Sequence, residues 1–425
     1  MDLLVVGGGG REHAIIKKLK ENPTVETVYA LPGNGGIAAD AVCVPAIGAG
    51  DLDAIVDFAV SHHVDFAVVA PDDPLALGCV DRLHAAGIPC FGPSQKAARI
   101  ESSKVFSKNL MKKYNIPTAD YRVFRDQAAA VAYLETASFP IVIKADGLAL
   151  GKGVLISQNL DEAVAAVKTI MTDRAFGSAG DEIVIEEFLT GPEVSVLAFT
   201  DGTAIVPMVS SMDHKRALDG DRGPNTGGMG TVAPNPFYTK EIADTCMQTI
   251  FLPTLAAMRD EGCPFKGCLY FGLMLTPDGP RVIEYNCRFG DPETQVVLPL
   301  LKTDLLTIME SVENETLAHL KVEWDTGAAA CVILASGGYP VHYEKGKAIT
   351  IPASIPANVT VYHAGDRLEG ENLVTSGGRV LGITARAGDL PTALRDAYAF
   401  ADTVHFEGAF MRRDIGRRAL SARED

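Results

Sequence analysis

What this chain has little of narrows its chemistry before anything it has. Positive charge is short: 38 Lys and Arg stand against 54 Asp and Glu, a formal net charge of −16. Such a balance argues against a polyanion partner such as nucleic acid, so any phosphate site must be local. Cysteine supplies no framework. The eight cysteines contain no CxxC pair, and Cys263 and Cys268 have four residues between them, which is neither a zinc pattern nor a disulfide scaffold. No apolar run approaches the length of a membrane span. MDLLVV at 1–6 lacks the basic start and long apolar core of a signal peptide. The expectation is a cytoplasmic protein with reduced thiols and no membrane partner. GxSxG, HExxH and any His/Cys cluster are also missing, so the sequence offers neither a serine nucleophile elbow nor a zinc centre.

What is present reads as a globular multidomain chain. Its 425 residues are 47% apolar and 22% charged, too long for one core and suited to about three domains. Over the first hundred residues, short apolar runs (LLVVG at 3–7, VETVYA at 25–30, VDFAVVA at 64–70) alternate with helical patterns, the rhythm of a parallel α/β sheet. Glycines follow the strands at Gly7 to Gly10 and at Gly33, Gly35 and Gly36, where ligands of open α/β sheets sit. A helix from about Ser102 to Tyr114 leads to YRVF, IVIKAD at 141–146, VLISQ and IVIEEF at 183–188. A long helix is expected from about Thr239 to Asp260. AAACVILAS, after Gly327, opens a final α+β unit.

Several stretches carry chemistry. GGGGREH at 7–13 fails the GxGxxG fingerprint in both registers, yet a strand leading through bare glycines into a helix makes Gly9 and Gly10 candidates for phosphate or substrate contact. A tight structural turn is the plain alternative, and His13 reads as a packed or surface residue. GLALGKG at 147–153 is not a Walker A loop, because Gly153 rather than Ser or Thr follows Lys152. Lys144 at a strand end, Lys152 in the loop, and Gly147, Gly151 and Gly153 could instead hold a nucleoside triphosphate between a rigid and a mobile part; a hairpin with incidental lysines is the alternative. In VIEYN, Glu284 and Asn286 share one strand face and offer the sparse oxygen pair that magnesium accepts. Arg288 keeps that parity if the strand runs on. Asp291 and Glu293 in the following turn could simply cap a helix, and Glu193 is either a ribose ligand or a solvated strand end. The polar, glycine-dense stretch SMDHKRALDGDRGPNTGGMG at 211–230 is expected to be a loop without regular structure, suited to an anionic substrate or else a surface connection. His214 within it reads as a solvated loop histidine.

In order along the chain, GGGGREHA, GNGG at 33–36, IKADGLALGKG, DHKR with GPNTGGMG, VIEYNCRFGDPETQ, HAG at 363–365 and TSGGRVL at 375–381 resemble the phosphoribosylamine–glycine ligase family of the ATP-grasp superfamily. The resemblance spans nearly the whole chain. It implies a Rossmann-like N-terminal substrate domain at 1–101, an ATP-grasp domain at 102–325 with a small ATP lid at about 121–190, and a C-terminal α+β domain at 327–425. It implies ligation of glycine to 5-phosphoribosylamine through glycyl phosphate, with ATP, Mg2+ or Mn2+, and no protein partner beyond a monomer. An ATP-grasp carboxylase, a nicotinamide dehydrogenase and a nucleotide sensor are the rival readings. Lys104 and Lys144 would meet the ATP phosphates, with Glu186, Glu187 and Phe188 near adenine and Glu193 on ribose. Glu284 and Asn286 would hold the metal, and Arg288 the transferred phosphate. Asp213, Lys215, Asn225, Thr226, Gly227 and Gly228 would line the acceptor side, together with Gly9, Gly10, Asn34, Gly35 and Asp291; Arg288, Lys144 and Asp213 would be catalytic. The chain departs from the family pattern at Ala70 and Asp72, where glycine and glutamate are usual.

Overall fold

Leu3, Leu4, Val5 and Val6 are wholly withdrawn from solvent, as befits a strand covered on both faces; each such side chain contributes about 1.5–3 kcal/mol by burial. In the computed structural model, which describes residues 1–148 and 153–422, they form the middle of a five-stranded parallel sheet. Its strands are Asp2–Gly7, Thr27–Pro32, Val42–Cys43, Phe66–Val69 and Cys90–Phe91, in the spatial order third, second, first, fourth, fifth. The strand order reverses beside Asp2–Gly7. The crevice beyond the carboxyl ends at that point is where such sheets bind ligands, and it receives both Gly7–Gly10 and Ala70–Asp72.

The helix expected at 102–114 is present as Lys104–Lys113, and a separate helix precedes it. Gln95–Ser102 ends at Ser103, whose extended backbone breaks the run and whose hydroxyl caps Lys104–Lys113 by accepting from Phe106 N at 3.0 Å. An antiparallel sheet follows, in the order Tyr121–Phe124, Ile183–Glu187, Ile141–Ala145, Val154–Ser157. The helices Gln127–Leu134 and Leu160–Val167 pack on it around Ile143, Ala145, Ile183 and Ile185. A second antiparallel sheet runs Ile205–Pro207, Glu193–Asp201, Lys266–Thr276, Gly279–Asn286. The helical stretch expected at 239–260 is present from Lys240 to Asp260.

The fourth large sheet corrects the reading of residues 211–230. Met212–Asp213 and Gly230–Ala233 are strands that continue the sheet of Ala328–Ala335, Arg379–Ala387 and Val359–His363. Between them Arg216–Leu218 and Arg222–Asn225 pair as a hairpin. Glycine density misled here, because Gly223, Gly228 and Gly230 sit at φ of +79°, +120° and +157°, at turns and strand ends rather than throughout a loop. All eight cysteines are free. No helix among the described residues is long and apolar enough to cross a membrane.

Candidate active site

The strand Ile141–Ala145 delivers Lys144 to the junction of the two antiparallel sheets. Its buried ammonium ion-pairs with Glu186 and donates to the carbonyl of Ile283 at 3.2 Å. Glu186 is also buried, and Lys108 closes on its other oxygen at 2.5 Å while donating to Thr118 Oγ1 at 2.8 Å. Two cations thus hold one carboxylate. Burial works against its charge, but the lysines keep the Glu186 pKa low; burial lowers that of Lys108 to about 8 despite its partner. Sequence reasoning missed Lys108, although it lies four residues after Lys104 and so on the same helix face. Strand alternation sends Glu187 the other way, to Arg281 Nη1 at 2.9 Å and Asp120 N at 3.1 Å, and Phe188 is exposed. Lys104 donates to Gly147 O at 2.9 Å, at the start of the loop between the paired strands. Gly153 at its far end accepts from Ala145 N at 2.9 Å; Gly151 and Lys152 lie outside the described residues.

Next to Ile283, Glu284 accepts from Lys215 Nζ at 3.2 Å. Lys215 above all, opposed by burial and seconded by Lys144, holds the Glu284 carboxyl down to about 2; the same pairing, against burial, raises Lys215. Glu284 is therefore an ionised oxygen donor, and Asn286 offers its Oδ1 two residues on. Among the described residues no group of three or more His, Cys, Asp or Glu could hold a metal. Two hard oxygens fit a cation that draws its remaining ligands from phosphate and water. Glu284, Lys215, Asp213, Glu193, Ser195 and Tyr270 line one cavity. Burial, then the nearby Glu293, raises the pKa of Asp213 well above the carboxylate range.

The parity argument for Arg288 does not hold, because the strand ends at Asn286. Arg288 instead turns to Glu101, with 3.0 Å between Nη2 and Oε1, and its Nη2 lies 3.5 Å from Asn286 Oδ1. Its Nε is a buried donor with no partner. An unsatisfied buried donor costs about 1–3 kcal/mol, so a ligand oxygen delivered there would be favoured. Asp72, the residue at the family's usual glutamate position, adds its negative field to both Glu101 and Arg288.

Beyond Arg288 the chain meets the N-terminal sheet. Arg11 donates to Phe289 O at 3.1 Å, and Asp291 Oδ2 accepts from Arg11 N at 3.4 Å. Glu12 folds back to accept from Gly9 N at 2.6 Å, so that amide is already used. A Cβ on Gly10 would lie 2.5 Å from Gln295 Nε2. Asp291 also accepts from Gln295 Nε2 at 2.8 Å, and Glu293, expected at most to cap a helix, makes no cap; Ser195 Oγ donates to it at 3.3 Å. Arg379, from SGGRV in the last unit, donates to Asp291 O and Gly227 O at 2.8 and 2.9 Å. It brings the C-terminal sheet into the site, and only its place in a glycine turn hinted at this. Thr226 Oγ1 is spent on Lys215 O at 2.8 Å, which closes the turn that presents Gly227 and Gly228; Asn225 ends the hairpin strand before it.

Asn34 and Gly35 stand apart from this cluster. Asn34 Nδ2 donates to Gly8 O and His363 O, both at 2.9 Å, and a Cβ on Gly35 would strike Leu373 and Arg367. These residues seat the N-terminal sheet on the C-terminal one. His214 is not solvated either: it is buried, donating from Nδ1 to Gly230 O at 2.9 Å and accepting from Gly416 N at Nε2 at 3.1 Å.

Three family models cover the chain in succession: the phosphoribosylglycinamide synthetase N domain at 1–101, its ATP-grasp (A) domain at 102–294, and its C domain at 329–418. The chain belongs to the phosphoribosylglycinamide synthetase family. It is 45% identical to the phosphoribosylamine–glycine ligase of Vibrio cholerae, with 99% of each chain covered. It is 47% identical to the trifunctional purine biosynthetic protein adenosine-3 of Gallus gallus, where 99% of this chain spans 42% of that protein. A solved phosphoribosylamine–glycine ligase from Thermotoga maritima superposes with a TM-score of 0.85 at 35% identity, over 98% of this chain and all of the other. Biotin carboxylases share the ATP-grasp fold at a TM-score of 0.74 but only 14–16% identity, which is likeness of fold alone.

Proposed function

We infer that this chain joins glycine to 5-phosphoribosylamine with ATP, giving glycinamide ribonucleotide, ADP and phosphate in purine biosynthesis. The observation that carries this reading is one continuous line of contacts. It runs from Lys144 through Ile283 and Glu284 to Lys215, and the cavity beside Lys215 is lined by Asp213, so the cations that would hold phosphate and the side that would take the acceptor meet at one carboxylate. Glycine's carboxylate is a poor electrophile. Transfer of the γ-phosphoryl group to one of its oxygens gives glycyl phosphate. The amine of phosphoribosylamine then attacks the acyl carbon, the C–O bond to phosphate breaks, and the amine loses a proton.

No protein nucleophile is needed. Lys104 and Lys144 would hold ATP phosphates, and Arg288 Nε would donate to the group in transfer, a kind of electrostatic contact worth about a hundredfold or more in rate. Glu284 and Asn286 would bind magnesium or manganese, which would neutralise phosphate charge. Asp213, whose pKa burial and then Glu293 raise, would gain a counter-ion in glycine's ammonium. The loop after Gly147 would exclude water from the acyl phosphate. Gly9, Gly10, Asp291 and Gly227–Gly228 would border the phosphoribosylamine side, and Glu193 the nucleotide ribose. The working division is three units, 1–101, 102–325 and 327–425, in a cytoplasmic monomer.

The test is ADP release. Glycine with freshly generated phosphoribosylamine should support it, and bicarbonate with aminoimidazole ribonucleotide should not; the reverse result would make the chain a carboxylase.

A further inference from the structure

The segment Arg412–Gly416 holds the hairpin that carries the acceptor loop, and it does so through an arginine with no place in the chemistry. Arg412 is a long cation with its side chain only 1% exposed. Its guanidinium forms a two-pronged pair with Asp414, Nε to Oδ1 and Nη2 to Oδ2, both at 2.8 Å. Its remaining nitrogen, Nη1, leaves the C-terminal unit altogether. It donates to Asp221 Oδ1 at 2.9 Å and to the carbonyl of Arg216 at 3.1 Å.

Those two acceptors are the turn and the first strand of the hairpin Arg216–Leu218/Arg222–Asn225. The neighbouring residues repeat the attachment: Asp414 Oδ2 accepts from Gly220 N at 2.8 Å, Arg413 N donates to Asp219 Oδ1 at 2.7 Å, and Gly416 N donates to His214 Nε2 at 3.1 Å. The hairpin is therefore fixed at its base, its first strand and its tip. Lys215 precedes its first strand and Thr226–Gly228 follow its second, tied together by two bonds to Lys215 O, from Thr226 N at 2.7 Å and Thr226 Oγ1 at 2.8 Å. A planar five-donor fork can serve three acceptors at once in one geometry, which an ammonium cannot.

We propose that Arg412 is a positioning residue for acceptor binding, acting through the hairpin to set Lys215 and the Thr226–Gly228 loop; this rests on the ligase reading above. Its influence falls first on the acceptor side, because among the described contacts the hairpin reaches the nucleotide side through the Lys215–Glu284 pair.

The experiment compares Arg412→Met, Arg412→Lys and Asp221→Asn with the wild-type chain. Asp221 is 69% exposed, so that variant folds even if Arg412→Met does not. Amide exchange at Thr226 and Met229 should accelerate about tenfold or more in Asp221→Asn and Arg412→Lys. KM for glycine should rise about tenfold with KM for ATP, measured at saturating magnesium, within about twofold, the pattern of a lost binding contact on one side of the site. Arg412→Lys should recover part of the loss in Arg412→Met, since it keeps the charge without the fork. Exchange that rises only at 412–416, or KM values for ATP and glycine that rise together, would overturn the proposal. If wild type itself released no ADP with glycine, the ligase reading would fall, and exchange at Thr226 and Met229 would still decide the clamp.

Discussion

Lys215 donates to Glu284 at 3.2 Å, tying the start of the Arg216–Asn225 hairpin to the strand Gly279–Asn286. The carboxylate suited to a metal is thus already paired with a cation from the acceptor loop, and both side chains keep about a third of their surface in solvent, 37% and 31%. Removing the lysine charge frees the carboxylate for a divalent ion while stripping the acceptor side of its ammonium. Lys215→Met should lower the magnesium concentration for half-maximal ATP binding by severalfold, because like charges near a cation site oppose the ion. It should also raise the KM for glycine. Magnesium titrations of nucleotide binding check the first part; an unchanged magnesium requirement would mean the pair has no hold on the metal site.

Gly228 links the acceptor turn to the helix-opening turn at Asp291–Pro292. At φ +120° it has backbone that other residues rarely adopt, and an added Cβ would lie 2.5 Å from Pro292 Cδ and 2.6 Å from Asp213 Oδ1. Gly228→Ala should therefore displace Asp213, cutting kcat/KM for glycine about a hundredfold, in line with a misplaced catalytic group. ATP affinity, measured by calorimetry, should hold.

Strand periodicity made the strands of the parallel sheet, those of the first two antiparallel sheets and the Glu284/Asn286 pair readable, because each rests on local alternation. The links between units were not readable. Glu101 and Lys108 sit in ordinary-looking sequence, Arg11 and Arg379 in glycine motifs that do not reveal their contacts, and what makes all four part of the site is the approach of segments up to 280 residues apart, as Arg11 and Asp291 are. GNGG at 33–36 carries a packing role that its sequence does not show: Gly35 and Gly36 let Leu373 and His363 approach the backbone. The 211–230 stretch was misread for a related reason: its strands are short, and the sheet they join is reached only through Gly230–Ala233, whose partner lies beyond residue 327.

Lys144 joins the sheet of Ile141–Ala145 to the strand bearing Glu284 through Ile283 O, and Glu186 fixes its ammonium. Lys144→Met should leave Glu186 facing Lys108 alone and remove a cation from the phosphate end. Turnover should fall about a hundredfold or more, and Lys144→Arg should not restore it, since a buried point charge and a planar fork are not interchangeable. Single-turnover ADP formation separates this from slower product release; a burst of wild-type size in Lys144→Met would remove Lys144 from the chemical step.

His13 makes stability depend on pH in a defined window. The ring is buried at the seam of the N- and C-terminal sheets, where Nδ1 accepts from His363 N at 2.8 Å and Nε2 lies 2.9 Å from Asp40 Oδ2. An accepting Nδ1 means a neutral ring that donates from Nε2. Burial, outweighing the bond to Asp40, brings its pKa from 6.5 down to about 4. Between pH 6.5 and 4 the unfolded chain takes up a proton that the folded chain refuses, so stability falls as pH falls through that window, by up to about 3 kcal/mol. Asp40, whose pKa is lowered chiefly by the His13 bond, contributes on the other side: its stabilisation is present above its unfolded value of 3.8 and is lost as pH falls below it. Denaturant unfolding at half-unit pH steps should show a slope from 6.5 to 4 that His13→Gln flattens while lowering stability at pH 8. A His13→Gln chain with the wild-type slope would move the linkage to another group.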